Sequence, residues 1–246
     1  MKPRFSFSVF PAVALLLSAC ATPDTPTEVF DPYEQTNRQV HEFNVGLDRA
    51  LVRPTSNAYG TVIPQPVRRS VSNFANNLDT PRFVVNDVLQ GNILDAGHNT
   101  MRFLVNSTLG LAGLFDPATS FGLETRRTGF GETLFVWGNE EGAYVELPVF
   151  GPSNQRDAVG TVVDLVSNPI SPIFGSGERW IPPTANVADR LGARYEFSDT
   201  VDGLLYESAD SYTAARSLYL QNRRFELTGG VDDEFAFDPF EGFDDE

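Results

Sequence analysis

Cys20 is the only thiol in this 246-residue chain, and it directly follows Leu17-Ser18-Ala19. Small residues before a cysteine suit a signal peptidase that cleaves once the sulfur has taken a diacylglycerol. That thioether chemistry requires cysteine and cannot use serine. With a single cysteine no intramolecular disulfide can form, even in an oxidising compartment. The other reactive groups are sparse. His41 and His98 are the only histidines, and Asp95, His98 and Arg102 stand at i, i+3 and i+7, one face of a helix. The trio could form a polar site, but the spacing is read as a hydrated face, and His41 is read the same way. The chain has no Gly-x-Ser-x-Gly elbow, no glycine-rich phosphate loop and no His/Cys metal spacing. Paired carboxylates select nothing in so acidic a sequence. The expectation is no catalytic residue, no metal and no cofactor, which leaves binding or passive transfer.

The elements that must carry these groups begin with Lys2 and Arg4, followed by an apolar run from Val13 to Leu17 that ends at Cys20. Residues 1–20 are therefore expected to be a lipoprotein signal peptide. The run is too short to span a bilayer, which takes about 20 residues. The acyl chains on Cys20, each buried methylene contributing about 0.8 kcal/mol, would hold the protein on its membrane. Loss of Lys2 and Arg4 takes the formal charge from −15 to −17 and leaves arginine as the only basic residue apart from histidine. Arginine suits bidentate phosphate recognition; a GC-rich coding sequence gives the same bias. Such acidity opposes nucleic-acid binding and rules out holding an anionic leaflet through a general basic patch.

Residues 21–30 read as a Thr/Pro/Asp tether, 31–228 as one mostly α body, and 229–246 as a disordered acidic tail in which Phe235, Phe237, Phe240 and Phe243 alternate with carboxylates. A first helix is expected from the Asp31-Pro32 cap, with an apolar stripe at Val40, Phe43, Leu47, Ala50 and Leu51. Pro64 and Pro66 break the chain. A second helix carries Val67, Val71, Phe74 and Leu78, and a third starts after Thr80-Pro81. Met101 to Phe115 is apolar on most sides, and so is expected either in the membrane interface through Leu104, Leu109, Leu111, Leu114 and Phe115, or in a plain core. Ala143 to Leu147 is the only strand-like piece, and Ser198 is expected to cap the last long helix.

The residues Asp31-Pro-Tyr-Glu-Gln-Thr-Asn-Arg38, Phe43-Asn44, Leu47-Asp48 and Arg53-Pro54 resemble the opening of the MlaA/VacJ outer-membrane lipoproteins. The resemblance continues through Asn73-Phe74, Asn77-Leu78, Leu89-Gln90-Gly91, Arg102-Phe103, Asn106-Ser107-Thr108, Gly129-Phe130-Gly131, Trp137-Gly138, Leu147-Pro148, Gly151-Pro152 and Arg156-Asp157, covering about residues 31–227. Departures are Asn139-Glu140-Glu141-Gly142, where the family has a glycine-rich turn, and Asp210-Ser211-Tyr212, where it has Asp-Pro-Tyr. The resemblance implies a ring-like helical single domain embedded in the inner leaflet of the outer membrane, anchored in that periplasmic leaflet. Ala21 after the cysteine, in place of aspartate, agrees with outer-membrane sorting of similar lipoproteins. It implies a trimeric outer-membrane porin as partner and a polar channel that takes misplaced phospholipid from the outer leaflet. The lipid passes to a soluble periplasmic lipid carrier, which preserves lipid asymmetry. Asn44, Asp48, Arg68, Asn73 and Asn77 are the candidates for groups along that channel or supporting its helices, since amides and a guanidinium can pass a headgroup along without trapping it.

Overall fold

Asp31 does not cap the first helix, because its carboxylate is engaged elsewhere: Oδ1 accepts from Asn37 at 2.8 Å, and Oδ2 accepts from Arg216 at 2.5 Å and from the Tyr212 hydroxyl. The computed structural model describes residues 29–170 and 173–228, so the expectations for the signal peptide, for residues 21–28 of the tether and for the tail at 229–246 lie outside the described residues. Helix α1 spans Glu34–Leu47 and runs through a π-helical turn, Asp48–Val52, into α2, Arg53–Val62. It stops at Ile63, which is extended (φ −91°, ψ 120°) because the Pro64 ring disfavours a helical residue before it.

Helix α3 is continuous over Gln65–Leu89, so the expected break at Pro81 does not occur. Pro81 removes one backbone donor, but Thr80 Oγ1 donates to the Asn76 carbonyl at 2.9 Å and Asn76 Nδ2 to that of Ser72 at 2.8 Å. Packing along both flanks of the helix outweighs the local penalty, which is about 3 kcal/mol for an interior proline. Helix α4, Ile93–Thr108, starts at Asn92, whose side chain accepts from Asp95 N at 3.2 Å. After the short α5 (Pro117–Ser120) and α6 (Phe130–Val136), strands β1 (Tyr144–Leu147) and β2 (Gly151–Asn154) form an antiparallel hairpin, Tyr144 opposite Asn154 and Leu147 opposite Gly151. The sequence Gly-Pro-Ser-Asn carries no strand signal, and β2 exists because its partner pairs with it.

Helix α7 (Gln155–Val166) is capped by Asn154. Helix α8 (Ile181–Glu196) leads into α9 (Ser198–Asp202) and a second π-helical turn, Gly203–Glu207. The expected long helix from Ser198 therefore ends at Ser208, which is extended, and α10 (Ser211–Thr228) restarts with Thr213 N donating to the Asp210 carboxylate at 3.1 Å. Contacts run from α3 to α6, α7, the hairpin, α10, the second π turn, α9, α8 and back to α3, closing a circuit of mostly helical elements. No helix among the described residues is long and apolar enough to cross a membrane.

Candidate functional site

The interior of this circuit is polar. Among the described residues buried polar side chains outnumber buried apolar ones, and alanine is prominent among the latter. Asn37, His41 and Asp48 are the buried residues of α1 and its π turn, whereas Phe43 and Leu51 of the expected inward stripe are exposed. Helix α4 shows the same inversion. Asn99 is fully buried, with Ala96, Arg102 and Asn106 beside it, while Leu94 is 85 % exposed. The reading of His41 and Arg102 as hydrated surface is thus overturned. The helical period is as expected, but the apolar face does not point inward. Leu104, Leu109, Leu111, Leu114 and Phe115 are all exposed, so this segment is not an apolar core helix. Exposed Val85, Val88, Leu89, Phe135, Trp137, Val162, Leu165 and Val166 extend the apolar exterior across α3, α6 and α7. An apolar outside around hydrogen-bonded polar groups is what a lipid surround favours, because there every interior polar group needs a partner.

The sequence candidates fall in four separate places. Asn44 and Asp48 share a helix but point to different partners. Asn44 Nδ2 donates to Glu146 Oε1 at 3.2 Å and to the Leu147 carbonyl at 3.0 Å, and Asn44 Oδ1 accepts from Val149 N at 2.7 Å, which fixes the hairpin turn on α1. Asp48 accepts both Arg194 Nε and NH2, at 2.9 and 2.8 Å, and the Tyr206 hydroxyl at 2.6 Å. Burial pushes the Asp48 carboxyl up, but these hydrogen bonds more than offset it and hold it below the usual carboxylate range. Arg68 NH1 donates to the Gly60 and Ile63 carbonyls at 2.5 and 2.8 Å, which satisfies the C-terminal end of α2, and its guanidinium lies 5.0 Å from the Tyr195 ring.

Asn73 and Asn77, in contrast, meet the segment singled out for its leucines. Asn77 Nδ2 donates to Ser107 Oγ at 3.0 Å and to the Ala112 carbonyl at 3.5 Å, and Asn73 Nδ2 reaches the Leu114 carbonyl at 3.4 Å. Leu111, Ala112 and Gly113 all have left-handed φ, at 51°, 58° and 92°. Gly113 is required there, because a Cβ would lie 2.5 Å from Asn77 Cβ. The strained loop is closed by Gly113 N donating to the Asn106 carbonyl at 2.8 Å, and the Asn106 side chain binds Asp116, which also takes Arg102 NH2 at 2.7 Å.

Residues that sequence reasoning missed make up the rest. Glu146 is a buried carboxylate whose Oε2 accepts from the Tyr144 hydroxyl at 2.5 Å and whose Oε1 faces His41 Nδ1 at 3.4 Å; His41 Nε2 lies 3.0 Å from Ser211 Oγ. Burial and the bond to Glu146 push the Tyr144 phenol far up, so it remains a donor. His41, Asn44 and Glu146 form the polar end of a cavity of about 500 Å³ whose remaining wall includes Leu204, Leu205, Ala215 and Leu218. Asp157 is held by Arg223, through Nε at 2.8 Å and NH2 at 3.1 Å, and accepts from Tyr219 at 2.8 Å. The one available signal was the recurrence of Asn, Asp and Arg at helical spacing opposite each apolar stripe. No group of three or more His, Cys, Asp or Glu poised to hold a metal occurs among the described residues.

A family model described as MlaA lipoprotein matches residues 29–226. An Escherichia coli K12 protein, the intermembrane phospholipid transport system lipoprotein MlaA, is 34 % identical over 242 residues, 94 % of this chain and 91 % of the relative. A Rickettsia prowazekii protein of unassigned function is 37 % identical over 194 residues, 77 % of this chain and 75 % of its own. A solved structure from work on the structural basis for maintenance of bacterial outer membrane lipid asymmetry superposes with a TM-score of 0.69 at 32 % identity, covering 80 % of this chain and 98 % of that one.

Proposed function

The chain belongs to the MlaA lipoprotein family, and we propose that it is a transport lipoprotein of the outer membrane that helps maintain lipid asymmetry by removing misplaced phospholipid without breaking it down. It is anchored through acylated Cys20 in the periplasmic leaflet and sits partly in that leaflet, with Leu104, Leu109, Leu111, Leu114 and Phe115 among the side chains facing acyl chains. Phospholipid from the outer leaflet passes along a polar channel to a soluble periplasmic carrier, and a trimeric porin holds the protein in place. The observation that carries this reading is the inversion: a hydrogen-bonded polar interior inside an exposed apolar exterior, with no described helix able to span a bilayer. A headgroup crossing an apolar layer needs polar partners along its path, and its tails need apolar surface.

Within this reading Asn44, Asp48, Arg68, Asn73 and Asn77 support the channel mainly by fixing the hairpin, the π turns and the leucine loop around it. The test uses cells whose only copy is this chain or a variant. Expression should lower phospholipid in the outer leaflet with porin assembly unchanged, and the released lipid should be chemically intact. Apolar replacement of a group lining the path should raise outer-leaflet phospholipid while the protein stays folded and porin-bound. Lipid breakdown products in place of intact lipid would make it a hydrolase, and normal asymmetry in cells lacking it would make it a scaffold.

A further inference from the structure

Two π-helical turns occur among the described residues, and they face each other across one charge cluster. The first holds Asp48, with Arg53 N donating back five residues to the Asp48 carbonyl. The second holds Tyr206, whose hydroxyl donates to Asp48 Oδ2 at 2.6 Å. Arg194 bridges the two turns: it grips Asp48 with two nitrogens and also donates to Asp202 Oδ1 at 2.6 Å, just before the second turn. Arg53 NH2 donates to the other oxygen of Asp202 at 2.5 Å, and the Arg49 and Arg53 guanidinium groups lie 5.0 and 5.2 Å from the Tyr206 ring. π-helical residues make up well under about 1 % of protein structure and recur at functional sites.

The second π turn is held by this polar latch more than by packing. No residue of α9 or of Gly203–Glu207 is buried, and segments with few buried contacts are the ones that open most readily. The chain leaves the turn through extended Ser208, where the helical hydrogen bonding ends and one side-chain clasp, Ser208 Oγ donating to the Leu204 carbonyl at 2.6 Å, remains. Gly203, at its start, has φ −58° and nothing within 4 Å of the place a Cβ would occupy. Neither conformation nor crowding therefore requires glycine there, and what it adds is backbone freedom. Between Gly203 and Tyr206 lie Leu204 and Leu205, both on the wall of the 500 Å³ cavity whose polar end is His41, Asn44 and Glu146. When a turn bonded at i→i+5 reverts to i→i+4, the register of its side chains shifts by one residue, a rotation of about 100°, which would take both leucines out of that wall.

We propose that Gly203–Glu207 is a movable wall of the cavity and that Tyr206, acting through Asp48 and Arg194, is the positioning residue that holds Leu204 and Leu205 in it. The proposal rests on the lipid-transport reading above for its purpose: the wall admits and releases the apolar part of a phospholipid beside the polar end of the cavity. Tyr206→Phe deletes only the hydroxyl and so releases the latch. Gly203→Ala adds a methyl in open space and removes the backbone freedom of glycine at the start of the turn, which slows its rearrangement.

The experiment introduces Leu205→Cys into the full acylated chain, takes the unsubstituted chain as the background for its single native cysteine, and measures modification by a membrane-impermeant maleimide. Tyr206→Phe should speed labelling at position 205 several-fold, with Asp48→Asn as the second latch variant. Gly203→Ala should slow labelling several-fold and should raise outer-leaflet phospholipid in cells, while thermal stability stays level or rises. A merely structural role for Gly203 predicts higher stability with transport unchanged, and that result overturns the proposal. Labelling rates indifferent to Tyr206→Phe and Gly203→Ala overturn it as well, and if Tyr206→Phe prevents folding the Gly203→Ala rates decide alone. If labelling responds as stated but even the unsubstituted chain leaves outer-leaflet phospholipid unchanged, the movable wall stands and the transport reading falls.

Discussion

Asp87 and Asp157 are both partly or fully buried aspartates, yet their surroundings push them in opposite directions. Asp87 is 3 % exposed, and its hydrogen-bond partner is the neutral amide of Asn99, Nδ2 at 2.8 Å. Burial raises its carboxyl, and the Asn99 bond only partly opposes the rise. A group whose folded-state value is raised holds its proton more tightly when folded, so stability declines as pH rises from about 3.9 through the folded value. Asn99 Oδ1 is buried without a partner. Asp87→Asn removes the buried charge and supplies an amide donor to that oxygen. The variant should be more stable by about 1 kcal/mol at neutral pH, with the gain vanishing near about pH 3; thermal melts in one detergent at the two pH values check this. For Asp157 burial pushes upward but the Arg223 hydrogen bonds and charge win, so its carboxyl is lowered. Its contribution is present above the unfolded value and is lost as pH falls through the folded one. Asp157→Asn should therefore cost about 1–3 kcal/mol at neutral pH, because Arg223 loses its two-nitrogen carboxylate partner and keeps only Glu132 at 2.8 Å and Glu226 at 3.2 Å, and much less in acid.

The loop between α4 and α5 is the element where backbone strain and apolar exposure coincide. Its left-handed run at Leu111, Ala112 and Gly113 is held by Asn77, Asn73 and Asn106, and the polar anchors let the leucines face outward. Gly113→Ala should destabilise the protein by about 3 kcal/mol, combining a left-handed penalty of about 1–2 kcal/mol with overlap on Asn77. Loss of protease resistance at the loop, with a lower melting temperature, is the expected result. Leu111→Arg tests the other property. Leu111 is 62 % exposed, so an arginine there should leave the fold intact in detergent. At bilayer depth it should weaken membrane insertion by about 2.5–3.5 kcal/mol. Photoactivatable lipid that labels position 111 in the unsubstituted loop but not in the variant would confirm the depth, whereas equal membrane partitioning would remove the segment from the bilayer.

At the scale of the whole molecule, the closed circuit of helices has little apolar interior from which to draw stability. Among the described residues Leu78, Phe83, Ile170 and Leu220, with Tyr144 and Tyr212, are the buried large apolar side chains, and Arg-Asp pairs and asparagine bridges connect the elements. Such a structure depends on its surroundings to cover what it exposes, and the proposed acylation of Cys20 would hold it at a membrane that does so. Cys20→Ala should give an unprocessed precursor without acyl label that behaves as an inner-membrane species, and normal maturation of that variant would remove the lipoprotein reading.

Much of this was legible in the chain itself. The helical period, the stop at Ile63-Pro64 and the hairpin's first strand are local, and they depend on dihedral limits and side-chain alternation that a few neighbouring residues determine. The run of motifs from Asp31 to Arg156 pointed to the family by resemblance, and the family model matching residues 29–226 bears it out. What only the tertiary structure decided is which face of each helix points inward. Periodicity separates a polar face from an apolar one but carries no information about the solvent, and the exposed apolar exterior here reverses the assignment that water would impose. For the same reason the partners of the buried groups were out of reach. Asn37 meets Tyr144 across 107 residues and Asp48 meets Arg194 across 146, and such pairings exist only once the circuit closes.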